Sequence, residues 1–252
     1  MMAVPVSNSF AGNFSIKQRI EIERPNVFAG RTYFLIKRLF DIAFSFLGLI
    51  VLLVPMLLIT VIVTIDSPGS PIFRQERLGK DGKPFMILKF RSMRMDAEKD
   101  GVARLSTGEN DPRITKVGKF IRACRMDELP QLINILKGDM SIVGPRPERP
   151  EIAERYKKTL PEFDLRLQCR CGLTGYAQVY GQYNTTPYDK LLMDLMYISK
   201  PSLAEDFKIC LATVKILFMP ESTEGVAVGA TTAMDYENAA DSTENDAETV
   251  AK

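Results

Sequence analysis

The chain has 252 residues, of which 46% are hydrophobic and 25% charged, a composition ordinary for one globular domain with a sizeable core. It contains no histidine, which excludes Ser-His and Cys-His triads, imidazole general bases and His-rich metal sites. The four cysteines, Cys124, Cys169, Cys171 and Cys210, show no Cys-x-x-Cys spacing and predict reduced thiols rather than a disulfide framework.

Charge is divided unevenly along the chain. Residues 221–252 carry a net charge of −7, which leaves +9 on residues 1–220 of a chain whose total is +2. A basic body suits an anionic substrate or an anionic membrane surface. The composition predicts a disordered acidic tail over 221–252, and residues 1–32, which lack an early apolar core, are predicted to be a flexible leader.

A long uncharged segment follows the leader. From Ile42 to Ile65 no residue is charged, and at ~1.5 Å per residue a helix of this length would cross the ~30 Å hydrocarbon layer. Pro55 removes a backbone hydrogen bond near the middle and predicts a kink. Basic residues flank both ends, which favours a segment that enters the membrane and returns. We therefore predict a membrane-associated helical hairpin over residues 33–66, with one spanning helix as the alternative.

The remaining elements are predicted within one domain over residues 67–220. Alternating apolar residues over 72–90 predict a β-hairpin with its turn at Lys80 to Lys83. Apolar residues at helical spacing and capping signals predict helices from Ile114, after Glu128, and over 151–160, 188–198 and 207–218. The last helix would either close the core or lie in the membrane interface. The fold class is α+β and mainly α-helical.

The adjacent acids Asp127 and Glu128 are the strongest candidates for chemistry. Paired acids before a helix are commonly capping residues. Here Arg122 and Arg125 lie within five positions of Asp127. Arg146 lies in a Gly-Pro-Arg-Pro turn beyond the predicted helix that follows the two acids. Phosphoryl transfer needs cations, usually a carboxylate-bound divalent metal, and an in-line nucleophile. A carboxylate can itself be that nucleophile, so the pattern indicates phosphate chemistry.

Three further groups leave alternatives open. Cys124 lies between two arginines and competes with Asp127 as a nucleophile. The turn from Gly172 to Gly175 could bring backbone amides close to a phosphate, or could be a plain structural turn. Arg91 could bind a phosphate, or could be solvated at a strand end.

Taken together, these blocks resemble the bacterial sugar transferases, the monotopic polyprenyl-phosphate phosphoglycosyl transferases. The resemblance extends from about Tyr33 to Phe218. It rests on seven ordered blocks: Lys37-Arg38-Leu39-Phe40-Asp41, Phe73-Arg74-Gln75-Glu76-Arg77-Leu78-Gly79, Lys89-Phe90-Arg91-Ser92-Met93, Asp127-Glu128-Leu129-Pro130-Gln131, Lys137-Gly138-Asp139-Met140-Ser141, Gly144-Pro145-Arg146-Pro147 and Leu173-Thr174-Gly175.

The resemblance implies a re-entrant helix-break-helix in the bacterial inner membrane, with amphipathic interfacial helices and a catalytic domain on the cytoplasmic face. It also implies Mg²⁺-dependent, two-step transfer of a sugar-1-phosphate from a UDP-sugar to polyprenyl phosphate, with release of UMP, as the first membrane step of surface glycan synthesis. In that scheme Asp127 is the nucleophile, Glu128 helps to bind Mg²⁺, and Arg122 and Arg146 hold phosphate. Arg91 is a further phosphate-binding candidate.

The sequence departs from the family pattern in two places. Family members commonly have Ser before the hairpin proline, where this chain has Val54, so Thr60 or packing is expected to support the break. They usually have Pro-Gly before the Thr-Gly turn, where this chain has Cys171 and Gly172. With its short leader, the chain would be a small, single-domain member.

Several alternatives stay open from the sequence. A one-step transferase could use the two acids only to bind metal, and a non-catalytic scaffold could bind anionic lipid through the basic body. A nucleic-acid partner is not expected, because the basic residues form no recognition motif. A homodimer is an open alternative to a monomer, and the residue spacing leaves galactose, glucose and their N-acetylated relatives open as the sugar.

Overall fold

The computed structural model describes Pro25 and residues 29–97, 111–181 and 185–217. Most of the predicted leader and the whole predicted acidic tail lie outside these residues. The described part is mainly helical with a small β-hairpin, which confirms the predicted fold class. Its elements are α1 (Arg31–Val51), α2 (Leu53–Asp66), β1 (Ile72–Leu78), β2 (Pro84–Phe90), α3 (Lys116–Ala123), α4 (Gln131–Lys137), β3 (Ser141–Val143), α5 (Pro150–Thr159), β4 (Gly172–Thr174), α6 (Tyr176–Val179), α7 (Pro187–Ser199) and α8 (Leu203–Leu217).

The long apolar segment is a bent pair of helices. α1 and α2 meet at Leu52 with a bend of 62°. Among the described residues, no single helix is long and apolar enough to cross a bilayer, but the bent pair passes that test by length and composition, as a broken span or a re-entrant loop would.

The break lies upstream of the proline that causes it. The kink predicted at Pro55 is centred on Leu52, because a proline ring clashes with the carbonyl four residues earlier, here Val51, where α1 ends. The expected support from Thr60 is local to α2, since its hydroxyl donates to the carbonyl of Met56 at 2.8 Å. It therefore does not reach the carbonyls at the break.

Polar contacts fix α1 to the rest of the protein. The buried carboxylate of Asp41 accepts hydrogen bonds from the Ser141 hydroxyl and the Ile142 amide, both at 3.0 Å. Arg38 donates to the carbonyls of Ile135 and Leu136, at 2.6 and 2.9 Å, at the C-terminal end of α4. These orphan carbonyls need partners, so α1 is tied to the helix that follows the acidic pair.

The predicted β-hairpin is confirmed, and it is locked to α4. β1 and β2 pair antiparallel from Ile72 with Phe90 to Leu78 with Pro84. The buried amide of Asn134 on α4 accepts from the Leu88 amide at 3.0 Å and donates to the Met86 carbonyl at 2.9 Å. Asn134 thus satisfies the open edge of β2 and fixes its register against α4.

The short parallel pair of β3 and β4 was not predicted. Ser141 lies opposite Gly172, and Val143 lies opposite Thr174. At three residues each, these strands are too short to show a periodic pattern.

The largest apolar core lies beneath α5, α7 and α8. It contains Val143, Ile152, Tyr156, Phe163, Leu191, Ile198 and Ile209, all buried. A second cluster packs Ile59 and Val63 of α2 against Phe90 and Ile121. The bent helix pair is therefore integrated with the catalytic part by packing as well as by hydrogen bonds.

The helix predictions are confirmed with small shifts at their ends. α4 ends at Gly138, whose φ of 99° suits glycine, as predicted. The side chain of Thr186 caps α7, and that of Ser202 accepts from the Glu205 amide at 3.2 Å at the start of α8.

The predicted apolar face of α8 does not close the core. Asp206 and Ile209 of this helix are buried, while Leu211 and Val214 are exposed. The side chain of Leu217, and Phe218, lie outside the described residues. This outcome removes the core-closing interpretation of Leu211 and Val214.

Candidate active site

The acidic pair lies in a short 3-10 turn, Met126–Glu128, between α3 and α4. α3 ends at Ala123, and Arg125 adopts a left-handed conformation with φ of 55° that reverses the chain. Both Asp127 and Glu128 are buried, each with 9% of its surface exposed. The turn therefore carries two carboxylates inside the protein rather than at a solvated helix cap.

Two cations hold Glu128 in place. One of its oxygens, Oε1, accepts from Lys89 Nζ on β2 at 2.8 Å and from Arg146 Nη2 at 2.6 Å. Burial acts to raise the pKa of Glu128, but the charges of Arg146 and Lys89 outweigh it and hold the pKa well below its usual value. Glu128 is a fixed anion.

Asp127 has a different environment. Among the described residues, its carboxylate has no hydrogen-bond or ion-pair partner. Burial raises its pKa above the usual value, although the positive charge of Lys89 acts in the opposite direction. Arg122, at the end of α3, also acts to lower this pKa, so it lies near enough to share the site. Asp127 is thus a carboxylate available for reaction, and its neighbour Glu128 is ion-paired with Lys89 and Arg146.

The turn that carries Arg146 is held by backbone contacts with β4. The Gly144 amide donates to the Thr174 carbonyl, and the Gly172 amide to the Pro145 carbonyl, both at 2.8 Å. A Cβ atom at Gly172 would lie 2.1 Å from the Gly144 nitrogen, so only glycine permits this approach. Of the two alternatives for the Gly172 to Gly175 segment, these contacts support the structural turn.

Sequence reasoning missed Lys89, Arg77 and Gln131. Together with Arg146 they line a small cleft next to the acidic pair. Gln131 is buried, and its amide nitrogen has no partner among the described residues. Burial lowers the pKa of Arg77 to about 10 and also lowers the pKa of Lys89. The alternation of side chains along an extended chain could have pointed to Lys89, because it lies two residues before Arg91 and so projects to the same side.

Arg91 does not join this cluster. Its buried guanidinium donates to the carbonyls of Val63, at 3.5 Å, and Pro68, at 3.0 Å, and to that of Ser67. These carbonyls lie at the end of α2 and in the turn after it, so the observed role of Arg91 is to cap that end. Neither of the sequence alternatives, phosphate binding or solvation at a strand end, describes its contacts.

None of the four cysteines forms a disulfide. All four are free, in agreement with the predicted reduced thiols, and Cys124 is exposed at the end of α3. Burial raises the pKa of both Cys169 and Cys171 to about 12. Burial therefore makes these two thiols poor nucleophiles at neutral pH.

An apolar cavity of about 240 Å³ lies between the bent helix pair, the β-hairpin and the start of α4. Its walls come from α1, α2, the hairpin and the start of α4: Leu49, Leu53, Met56, Leu57, Thr60, Ile72, Phe90, Pro130 and Ile133. Pro130 lies two residues after Glu128. One wall of the cavity therefore comes from the helix start that directly follows the acidic pair in the chain.

The two carboxylates fit a magnesium site whose remaining ligands come from the substrate phosphates and water. Among the described residues, no group of three or more Cys, Asp or Glu side chains could hold a metal alone. Asp127 has both oxygens uncommitted, and Glu128 keeps Oε2 free of partners within the described residues. Mg²⁺ commonly binds one or two carboxylates and takes its other ligands from phosphates and water.

Comparison with known proteins identifies the family. The profile of the bacterial sugar transferase family matches residues 32–220. This chain belongs to that family.

Individual relatives agree with this assignment. The chain is 42% identical to the UDP-glucose:undecaprenyl-phosphate glucose-1-phosphate transferase of Caulobacter vibrioides, over 74% of this chain and 71% of the relative. It is 40% identical to the exopolysaccharide production protein PSS of Rhizobium leguminosarum bv. phaseoli, over 71% of this chain and 93% of the relative. It is 37% identical to the UDP-N-acetylgalactosamine-undecaprenyl-phosphate N-acetylgalactosaminephosphotransferase of Aeromonas hydrophila, over 84% of this chain and 50% of the relative. The predicted family is confirmed, and the relatives differ in the sugar they are named for.

Proposed function

We propose that this protein transfers a sugar-1-phosphate from a UDP-sugar to a polyprenyl phosphate through a covalent aspartyl-phosphosugar intermediate. The relatives are named for UDP-sugars and undecaprenyl phosphate, which are the substrates proposed here. The reaction takes place on the cytoplasmic face of the bacterial inner membrane and begins the assembly of a surface glycan.

The two steps balance without a histidine. In the first, an Asp127 oxygen attacks the sugar-bearing phosphorus, the bond to the bridging oxygen breaks, and UMP leaves with the electron pair. In the second, an oxygen of the lipid phosphate attacks the same phosphorus, the acyl-phosphate bond breaks, and the Asp127 carboxylate is regenerated. Nucleophile and leaving group are anionic in both steps, so no general base is required.

The contrast between the two acids is the observation that carries this proposal. A nucleophile must be uncommitted, and Asp127 has no partner among the described residues. Charge developing on the phosphoryl oxygens must be neutralised by nearby cations. Lys89 and Arg146 form ion pairs with Glu128 at 2.8 and 2.6 Å. Glu128 thus keeps two cations next to the nucleophile. Arg122 and Arg146 are the proposed phosphate-binding residues, and Lys89 joins them.

Asp127 and Glu128 would hold Mg²⁺ together with the diphosphate. When bound, the ion supplies positive charge to the phosphate oxygens. The protein's own residues orient the nucleophile through the 3-10 turn and exclude water by burial.

The apolar cavity suits the isoprenoid chain of the acceptor. Its walls are almost entirely apolar, and they come from the bent helix pair, the hairpin and the start of α4, which follows the acidic pair in the chain. We take the pair as membrane-embedded, because the residues it leaves exposed are apolar, among them Leu53, Val54, Leu57, Leu58, Val61 and Ile62. We take it as a re-entrant hairpin, because basic residues flank both of its ends. The lipid phosphate would then reach Asp127 from the membrane side.

Covalent labelling tests the proposal. Purified protein mixed with Mg²⁺ and a radiolabelled UDP-sugar, without lipid, should become labelled and release UMP, and a panel of UDP-sugars would identify the sugar. Asp127→Asn should not label, while Cys124→Ser should label normally. The reverse pattern would show that Cys124 is the nucleophile.

The same assay separates the alternatives. Turnover with lipid phosphate but no adduct would favour a one-step transferase in which Asp127 and Glu128 only bind metal. Salt-sensitive binding to anionic vesicles, with no UMP from any UDP-sugar, would favour the non-catalytic scaffold.

A further inference from the structure

A buried ion pair lies directly beneath the Arg146 turn. Arg166, in the 3-10 helix Pro161–Gln168, and Asp194, on α7, are exposed by only 4% and 1%. Their charged groups approach to 2.7 Å, between Arg166 Nη2 and Asp194 Oδ2. Neither residue belongs to the acidic cluster, and neither has a role in the two steps described above.

One nitrogen of Arg166 connects this pair to the active site. The same Nη2 that faces Asp194 donates a hydrogen bond to the main-chain carbonyl of Arg146 at 2.8 Å. The side chain of Arg146 in turn donates to Glu128 at 2.6 Å. A continuous set of polar contacts therefore leads from α7 through Arg166 to the carboxylate next to the nucleophile.

Other contacts leave Arg166 little freedom. Its guanidinium stacks over the ring of Phe163, 4.8 Å from the centroid, and its Nη1 lies 4.0 Å from Glu148. On the other side of the turn, Arg77 donates to the Pro147 carbonyl at 3.3 Å. Two arginines thus hold consecutive carbonyls of the turn, of residues 146 and 147.

The burial of this ion pair is better explained by its effect on the position of the Arg146 turn than by a contribution to folding stability. Removing two charges from water costs several kcal/mol, and an apolar pair of similar volume is often as stable. An apolar pair, however, could not donate a hydrogen bond to the Arg146 carbonyl or orient it. A shift of about 1 Å in a substrate-positioning group can cost about 100-fold in rate.

We propose that Asp194 and Arg166 are positioning residues, which hold the Arg146 turn so that the Arg146 guanidinium stays on Glu128 and faces the substrate phosphate. The inference rests on the proposed function, because that function makes Arg146 a phosphate-binding residue. Asp194 orients Arg166, Arg166 orients the Arg146 main chain, and neither touches substrate.

The test combines labelling rates with amide hydrogen exchange on the full-length protein. Asp194→Asn and Arg166→Met should each lower the rate of labelling by UDP-sugar about tenfold. Arg166→Lys, which keeps the charge and donors, should retain part of the rate. Asp164→Asn is the matched control, because it removes an ion pair with Lys157 from the same 3-10 helix and should label at the wild-type rate.

A double-mutant cycle distinguishes positioning from general stabilisation. In an Arg146→Lys background, Asp194→Asn should lower the labelling rate by less than about twofold, because the guanidinium it positions is already gone. A full tenfold loss in both backgrounds would overturn the proposal. Wild-type labelling by Asp194→Asn and Arg166→Met would do the same.

Amide hydrogen exchange measures how firmly the Arg146 turn is held, and it does not depend on catalysis. The amides of Gly144 and Leu78 bond to the carbonyls of Thr174 and Glu148, at 2.8 and 2.9 Å, and bracket the turn. Both should exchange faster in Asp194→Asn than in Asp164→Asn, and equal exchange would contradict the proposal. If wild-type protein released no UMP from any UDP-sugar, the proposed function would fail, while the exchange result would still show whether the pair holds the turn.

Discussion

Lys89 and Glu128, which lie 39 positions apart in the chain, meet at 2.8 Å through an ion pair between β2 and the 3-10 turn. The contact brings the hairpin to the acidic pair and places a partly buried cation beside both carboxylates. Asn134 keeps this arrangement in register, because it bonds the β2 backbone on either side of Ile87.

Removing the Lys89 charge should shift the pH dependence of labelling. The nucleophile is lost as Asp127 is protonated, so the rate falls as the pH falls through the pKa of Asp127. Burial raises this pKa above its usual 3.8, and Lys89 opposes the rise. In Lys89→Met the pKa should rise further, and the acid limb of the pH-rate profile should move to higher pH.

Lys157→Met is the control for this shift. Lys157 pairs with Glu154 and Asp164, each at 2.7 Å, outside the site. Its acid limb should match that of the wild type. An unchanged limb in Lys89→Met would show that the lysine does not act on the nucleophile.

Glu128→Gln should destabilise the protein in a pH-dependent way. The change leaves Lys89 and Arg146 without their anion, at a cost of about 2 kcal/mol, a low value for a buried pair because Arg146 is partly exposed. The folded-state pKa of Glu128 is lowered, so its contribution is complete above the usual pKa of 4.5 and is lost as the pH falls towards the folded-state value.

Denaturation of the wild type and Glu128→Gln at several pH values checks this prediction. The difference in unfolding free energy should be constant near pH 7 and should shrink below about pH 4.5. A difference that grows on acidification would contradict a lowered pKa.

Arg91→Met should lower stability rather than substrate affinity. The change leaves the carbonyls of Val63, Ser67 and Pro68 without their buried donor, which should cost about 2 kcal/mol. The folded fraction should bind UDP-sugar normally. A raised KM for UDP-sugar at unchanged stability would instead restore the phosphate-binding role for Arg91.

Gly172→Ala should displace the Arg146 turn. An added Cβ would lie 2.1 Å from the Gly144 nitrogen, so the two backbones must separate, and we expect about 100-fold slower labelling. Gly30→Ala is the matched control, since nothing lies within 4 Å of a Cβ there. Normal labelling by Gly172→Ala would show that the turn tolerates the shift.

Accessibility labelling tests the re-entrant hairpin. In a Cys124→Ser background, Thr32→Cys and Lys80→Cys should react with an impermeant thiol reagent from the cytoplasmic side. Both positions are exposed, Thr32 at the start of α1 and Lys80 after α2. Reaction from opposite sides would mean that the 62° bent pair spans the membrane as a broken helix.

Local patterns in the sequence were sufficient for much of the fold. Alternation predicted β1 and β2, helical spacing and caps predicted α4, α7 and α8, and the uncharged run predicted the apolar pair. These features depend on neighbours a few residues apart. The acidic pair and Arg146 were found for a similar reason, because they flank one short helix.

Contacts between distant segments could be decided only by the tertiary structure. Lys89, near the end of β2, and Arg91, just after it, are only two residues apart, yet Lys89 pairs with Glu128 while Arg91 caps the end of α2. The ion pair of Arg166 and Asp194 likewise depends on how α7 packs beneath the Arg146 turn. The sequence by itself singled out Asp127, Glu128 and Arg146 as candidates for phosphate chemistry, and packing decided which charges meet, because electrostatic pairing depends on distance in space and not along the chain.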